Sequence, residues 1–358
     1  MRHINTRLRG DDLRDMFASA IVLLKQQVPM INALNVFPVP DGDTGTNMYL
    51  TVREVVESSS SIEDASAGEM ANSMARAALM GARGNSGVIL SQFFKGISLG
   101  LESKVDFGAY ELADAFKHAR VQAYTAIDRP VEGTILTVMD RIAKVSASSL
   151  VPGITVLDLL DKVCVAARDA VESTPNMLSV LKDAGVVDAG AQGLSVILEG
   201  LRRHLGGESL EDDVEVLVSD ALKTKSYVVS QDFLSETKEN VYGYCTQFLI
   251  NGTGLDITSI RKSMGVLANS TVVVGDEAMV NVHVHTEDPG QILSLGTDIG
   301  TLNNIKIANM DEQRDHFATE DGVEVLDKME SETLGIIAVA LGEGITAMFV
   351  ELGASHII

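Results

Sequence analysis

Cysteine is scarce. The 358-residue chain has two, Cys164 and Cys245, far apart and too few for a disulfide framework, which favours a reducing compartment. Positive charge is also short. Lys and Arg number 28 against 50 Asp and Glu, and the formal net charge of −22 argues against a nucleic-acid-binding protein that grips phosphates. Long hydrophobic runs are missing too. "MFASAIVLL" is too short to span a bilayer, and Asp11, Asp12 and Asp15 before it are the wrong flank for a signal peptide. These absences predict a cytoplasmic protein with no transmembrane segment, whose anionic ligands arrive with metal ions.

What is present suits a globular chain. Its hydrophobic fraction of 46% and its length allow two or three domains with their own cores. From residue 11 to about 205 the apolar residues recur at helical spacing, as in "DDLRDMFASAIVLLKQQV", "AGEMANSMARAALMGARG", "GAYELADAFKHARVQAYTAI" and "TVLDLLDKVCVAARDAVEST". The first of these is expected to be capped near Asp11. Residues 1–205 are therefore predicted to form an all-α bundle or barrel, with loops rich in Gly, Pro, Asp and Asn.

Residues 206–225 read as an acidic linker. Beyond it the period changes. "NVYGYCTQFLING" reads as a strand, and "DITSIRKSMGVLANS" as a helix capped by Asp256. "TVVVG" and "MVNVHVHT" form a hairpin across "DEA". "DPGQILSLG" starts a helix with Asp288 as cap and Pro289 in its first turn, and "LNNIKIANM" closes with a strand. This β-α-β-β-α-β order over residues 226–325 is that of an α+β ferredoxin-like unit. Residues 333–358 read as the opening of an α/β domain. A lone βαβ opening cannot bury both faces of its sheet, so the sequence is expected to be a piece of a longer chain.

The stretch "NVFPVPDGDTGTNM" carries the chemistry. Pro38 and Pro40 forbid helix, while Gly42 and Gly45 permit turns, leaving a stiff loop that presents Asp41 and Asp43 together. An EF-hand would need a Glu at the twelfth position from Asp41, where Val52 stands. A plain Asx-turn capping the next helix is the bland alternative. The sharper one is a magnesium–nucleotide site, because magnesium takes a few carboxylates together with phosphate oxygens and waters. Thr44, Gly45, Thr46 and Asn47 then offer donors to phosphates at a helix start.

A second loop, "GARGNSGVILSQ", sets Asn85, Ser86 and Gly87 before an apolar helix, another anion-suited N-terminus. It lacks the Gly-Lys-Ser/Thr of a Walker A loop, and Val88 stands where a nucleophile elbow needs Gly. "RPVEGTILTV" and "DAGVVDAGAQGL" repeat the style. Four such loops are expected to gather at one end of the helical domain.

These four motifs closely resemble the ATP-binding subunit of bacterial fatty-acid kinase, and the resemblance extends over essentially the whole chain. Its first domain is similar to the L subunit of dihydroxyacetone kinases. The resemblance implies an antiparallel eight-helix barrel that binds ATP with two Mg2+ ions at its loop end, then the middle domain, then the start of a DegV-like domain. It makes Asp41 and Asp43 magnesium ligands. Asn35 replaces a further upstream Asp of the dihydroxyacetone kinases. Thr44 to Asn47, and Asn85 with Ser86, match phosphate loops. Thr134 and Ile135 match a base contact, and Asp188 and Gly190 the last ATP loop. Lys182 stands where those kinases have an Arg, keeping a charge without the bidentate fork.

The resemblance further implies an acceptor carboxylate, on a fatty acid held by a separate DegV-like carrier, and an acyl phosphate product. A carboxylate is already ionised at neutral pH and needs no general base, which fits an acidic loop without His or Glu. Two alternatives are a dihydroxyacetone-type phosphotransferase and a non-catalytic nucleotide-binding partner module. Oligomeric state is left open, a homodimer included.

"NVHVHTEDPG" puts His283 and His285 on one face of a strand, with Val282 and Val284 on the other. In a ferredoxin-like sheet the first strand neighbours the third, so Cys245 is expected to share an open sheet face with both histidines. One thiolate and two imidazoles suit Zn2+ with a fourth position free. The competing reading is two solvated histidines and an ordinary thiol; the resemblance, which implies a metal here, favours the zinc. Cys164 reads as core, and His3, His118, His204, His316 and His356 carry no assigned chemistry.

Overall fold

The computed structural model describes residues 7–210, 229, 242–318, 337–338 and 356–357. The first domain contains α1 (Gly10–Ala33), α2 (Thr44–Ser59), α3 (Ala67–Gly81), α4 (Gly84–Gly100), α5 (Ala109–Ala126), α6 (Ile135–Ser149), α7 (Val156–Ser173), the short α8 (Ser179–Ala184) and α9 (Ala189–Gly206). Local chemistry sets their ends. Ser66 with Glu69, and Thr155 with Asp158, make reciprocal capping boxes at α3 and α7. Asp188 caps α9, and Gly207 closes it in the left-handed region at φ 68°. At α1 the cap lies earlier than expected: Asp12 reaches back to the Arg9 amide at 2.8 Å, which places Asp11 inside the first turn.

Each long helix touches the next in sequence, and α9 packs against α7 and returns to α1, so the order of neighbours closes on itself. The seam between α4 and α5 is unusually tight. A Cβ on Gly96 would collide with the backbone of Ala119, and one on Gly100 with that of Ala115. Glycine costs a helix about 1 kcal/mol relative to alanine. Here the close approach outweighs that cost, letting Phe93, Phe94 and Phe116 pack as a cluster against Phe17.

The second domain runs β1 (Tyr244–Asn251), α10 (Ile257–Gly265), β2 (Ser270–Gly275), β3 (Met279–Thr286), α11 (Pro289–Ile299), β4 (Thr301–Asn309) and α12 (Met310–Ala318). The strands lie in the order β2-β3-β1-β4 with every neighbouring pair antiparallel. Asp256 and Asp288 cap α10 and α11 as expected. The final helix α12 is an addition to the expected order; Asn309 caps it by accepting from the Asp311 amide at 3.0 Å.

One face of this sheet, with Phe248, Ile250, Val282 and Val284, packs under α10 and α11. The other face is covered as well. Val272 and Val274 meet Ala82, Val88 and Ala126 of the first domain, and Ile127 bridges to Val272. The expectation of an open sheet face is thus corrected: Asn281 and His283 are each 1% exposed. Apolar residues alone could not have revealed this, because the covered face carries buried polar groups that bond across the seam.

Most of the expected linker, residues 211–225, lies outside the described residues. So does most of the expected 333–358 segment, where Ile337–Ala338 pairs in parallel with His356–Ile357.

Gly96→Ala is expected to lower stability by about 2 kcal/mol despite the better helix propensity, because the new methyl must push α5 away. Chemical denaturation measures it; equal or higher stability would contradict the tight seam.

Candidate functional site

The loop between α1 and α2 is shaped by its own residues. Pro38 and Pro40 hold it extended, and Gly42 turns it at φ 67° where the Phe317 ring of α12 leaves no room for a side chain. Asn35 donates through one amide nitrogen to the Val39 carbonyl at 2.7 Å and to Asp41 Oδ1 at 2.8 Å. Its oxygen accepts from the Thr44 hydroxyl, which in turn accepts from Ser86 Oγ at 3.3 Å. Asn35 is therefore engaged by protein partners on both ends of its amide, and it positions Asp41.

Asp41 and Asp43 line a cavity that also receives Asn47, Arg83, Gly84, Asn85 and Ser86. Burial, and then the charge of Asp43, push the Asp41 carboxyl well above the usual carboxylate range. Burial raises Asp43 as well, against a hydrogen bond from Asn47 that lowers it. Two desolvated carboxylates side by side are the arrangement a divalent cation relieves. Oxygen donors in so small a number suit magnesium, which keeps its remaining positions for water and phosphate.

The same cavity is lined by Cys245, His283 and His285. Pairing of β1 with β3 sets Cys245 opposite His285 and Gln247 opposite His283. One ligand atom from each of the three lies within 4.8 Å of the others. His283 Nε2 is 3.3 Å from His285 Nε2, and Cys245 Sγ is 3.9 Å from either ring nitrogen of His283. A tetrahedron with Zn–N of about 2.0 Å and Zn–S of about 2.3 Å has edges of roughly 3.3 and 3.6 Å. The donor set therefore fits zinc. Burial holds His285 down at about 4 and His283 well below the ordinary histidine value, so both rings are neutral near pH 7 and their lone pairs are free to ligate.

Sequence reasoning assigned the two acidic ligands and the Cys-His-His set to different domains; the structure brings both to one cavity. Burial pushes the Cys245 thiol up to about 12, helped by the charges of Asp43 and Asp41. Asn85 Nδ2 reaches His285 Nε2 at 3.5 Å, while Asn85 Oδ1 is buried without a hydrogen-bond partner. The second-domain sheet is docked by amides. Gln247 donates to the Ala82 carbonyl at 2.6 Å and accepts from the Gly84 amide at 3.1 Å, and Asn281 donates to the Leu79 carbonyl at 3.0 Å.

A second cavity adjoins the first and shares Phe37, Pro38, Thr44, Asn85 and Ser86 with it. Beyond these it is lined by Ile89, Ile127, Thr134, Ile135, Leu136, Asp188 and Gly190. Asp188 accepts from the Ala191 amide at 2.7 Å, and burial lifts its carboxyl to about 7 despite that bond. All four Gly-bearing loops thus contribute to the paired cavities.

Four of the sequence-derived residues line neither. Gly45 lets α2 approach the Val28 carbonyl of α1, and Gly87 lets α4 approach Thr51. Thr46 is held by Asn32, whose Oδ1 accepts from its amide at 3.1 Å. Lys182 is exposed on α8. Conversely, Arg83 and Lys306 line the first cavity and were missed. The signal for Lys306 was present: it pairs with Gln247 and so shares the face of Cys245. Burial, and then the charge of Arg83, lower the Lys306 ammonium from the usual lysine range.

Elemental analysis of the purified protein is expected to find about one zinc ion per chain, lost in Cys245→Ser. Near pH 7 the two imidazoles are already unprotonated and the thiol is not, so zinc binding releases about one proton and strengthens about tenfold per pH unit. Calorimetry in buffers of different ionisation enthalpy measures that proton; no release, or zinc retained by the variant, would contradict the assignment.

Comparison with known proteins adds the family. Residues 38–203 match the DAK2 domain, and residues 241–317 match the FakA-like middle domain of fatty acid kinases. Uncharacterized proteins of Staphylococcus aureus strains bovine RF122 / ET3-1 and MRSA252 are each 38% identical over 362 residues, covering 99% of this chain. A protein from strain USA300 is 37% identical over the same length. The chain spans 65% of the length of these relatives. Among the described residues no helix is long and apolar enough to cross a membrane. A DAK2 domain followed by this middle domain is the architecture of the FakA-like fatty acid kinase family, and the chain belongs to that family.

Proposed function

We propose that this protein is the ATP-binding subunit of a two-component fatty-acid kinase, phosphorylating the carboxylate of a fatty acid presented by a separate DegV-like carrier. The observation that carries the reading is the pair of adjoining cavities meeting at Thr44, Asn85 and Ser86. The apolar residues around Thr134, Ile135 and Leu136 suit a nucleoside, and the shared residues suit its phosphates. The first cavity then holds the reacting end. On this reading the helical domain is the closed eight-helix barrel, supported by the return of α9 to α1, and the second domain is ferredoxin-like, supported by its strand order. The site is cytoplasmic.

In the reaction a carboxylate oxygen forms a bond to the γ-phosphorus while the bond from that phosphorus to the β–γ bridging oxygen breaks. ADP leaves and no proton is exchanged. Asp41 and Asp43 would hold two magnesium ions with phosphate oxygens, supplying charge neutralisation. Cys245, His283 and His285 would hold zinc, a further cationic centre in the same cavity. The chain's own groups orient the partners: Asn35 fixes Asp41, and the helix starts at Thr44 and Gly84 direct backbone amides at phosphate. One observation favours a second reading. His285 is neutral and lies in the reacting cavity, so in a zinc-free site it could act as base for a hydroxyl acceptor, as a dihydroxyacetone-type kinase requires.

Acyl phosphate, trapped with hydroxylamine, is expected only when ATP, magnesium and a fatty-acid-loaded carrier are all present. The Asp41→Ala, Asp43→Ala double variant should lose at least about a thousandfold in rate. Full turnover by that variant would remove the magnesium assignment. Consumption of dihydroxyacetone without acyl phosphate would favour the second reading, and tight ATP binding without any transfer a non-catalytic module.

A further inference from the structure

We infer that Arg83 and Lys306, one from each domain, form a clamp that receives the carboxylate of the acceptor. The inference rests on the phosphotransferase reading above and names the acceptor subsite within it.

Three observations support the clamp. The first is position. Thr44, Asn85 and Ser86 line both cavities and mark where a triphosphate would cross from one to the other, whereas Arg83 and Lys306 line only the first cavity. They lie on the side of the crossing away from the nucleoside. The second is charge. Among the described residues neither cation has a carboxylate within ion-pair distance, in a chain whose formal net charge is −22. Nearly all other cations of such a chain have acids to choose from, so two cations left facing one cavity mark the place of an external anion. An acceptor carboxylate approaching Asp41 and Asp43 meets two like charges, and the clamp offsets that repulsion.

The third observation separates an acyl chain from a small polar acceptor. Ile307 and Ala308, which follow Lys306 on β4, line the same cavity. Ile305 and Ile307 are 49% and 47% exposed. A cation beside an apolar strip matches a carboxylate head with the first carbons of an aliphatic tail; a sugar would gain nothing from the isoleucines.

The backbone around Arg83 is built to hold still. Gln247 binds the carbonyl before it and the amide after it, and the Arg83 amide donates to Thr51 Oγ1 at 3.3 Å. The clamp thus closes only when the two domains are docked, so acceptor binding and domain docking support each other.

The test uses Arg83→Gln, Lys306→Gln and the charge-keeping Lys306→Arg. With the loaded carrier and saturating MgATP, each Gln variant is expected to lower kcat/KM for acyl phosphate formation at least about thirtyfold. The affinity for MgATP should stay within about twofold, and Lys306→Arg should recover most of the loss. A second readout needs no turnover: calorimetric binding of octanoate to protein saturated with a non-hydrolysable ATP analogue and magnesium, expected to weaken at least about tenfold in both Gln variants. Loss of MgATP affinity in parallel with transfer would assign the cations to the triphosphate and overturn the clamp. Failure of the unmodified protein to bind octanoate, or binding unchanged by either substitution, also overturns it. Octanoate binding that depends on both cations, with no acyl phosphate ever formed, would refute the kinase reading and leave the clamp standing.

Discussion

The Gln247 side chain, by binding the Ala82 carbonyl and the Gly84 amide, ties the central strand of one domain to the turn between α3 and α4 of the other. Both backbone groups belong to helix ends, where no intrahelical partner exists. A buried amide that satisfies both removes two desolvation penalties, each about 1–3 kcal/mol if left unmet. Asn281 does the same for the Leu79 carbonyl. Because these contacts are directional, they fix not only that the sheet covers the helical domain but where. The Cys-His-His set then lies over the acidic loop, and Lys306 across from Arg83. A sheet docked through Val272 and Val274 alone could slide, since apolar contact has no preferred register.

The cavity produced by this docking is electrostatically incomplete in a consistent way. Its carboxylates are pushed towards protonation, its thiol away from ionisation and its imidazoles into the neutral form, and burial is the leading cause in each case. Divalent ions and phosphates supply the charges that reverse the shifts. The acid pair calls for hard cations with oxygen partners, and the softer Cys-His-His set for zinc, so the two metal types sort by ligand chemistry within one cavity. Asn85 touches both halves, reaching His285 while belonging to a phosphate-suited helix start.

Glycine has different uses in the two halves of the first domain. At Gly96 and Gly100 it brings helix backbones together, and at Gly42 it gives a left-handed turn under the Phe317 ring. Gly45 and Gly87, expected among the ligand loops, serve helix packing instead. Sequence could not tell these uses apart, because a missing Cβ permits both a ligand and a neighbouring helix to come close.

Local chemistry was legible in the sequence wherever it acts over a few residues. Ser66 with Glu69, Thr155 with Asp158, and Asp256 and Asp288 announce their helices because a cap is satisfied three or fewer residues away. The period of two placed Cys245, His283 and His285 on a common face, since alternation in a strand is geometric. The stiff turn carrying Asp41 and Asp43 likewise followed from its prolines and glycines. Only the tertiary structure decided that these two clusters share a cavity, that the sheet's second face is buried, and that Arg83 and Lys306 face the same space. Those facts rest on contacts such as Gln247 to Ala82, 165 residues apart in the chain, where no local propensity acts and only the complementarity of two finished surfaces selects the partner.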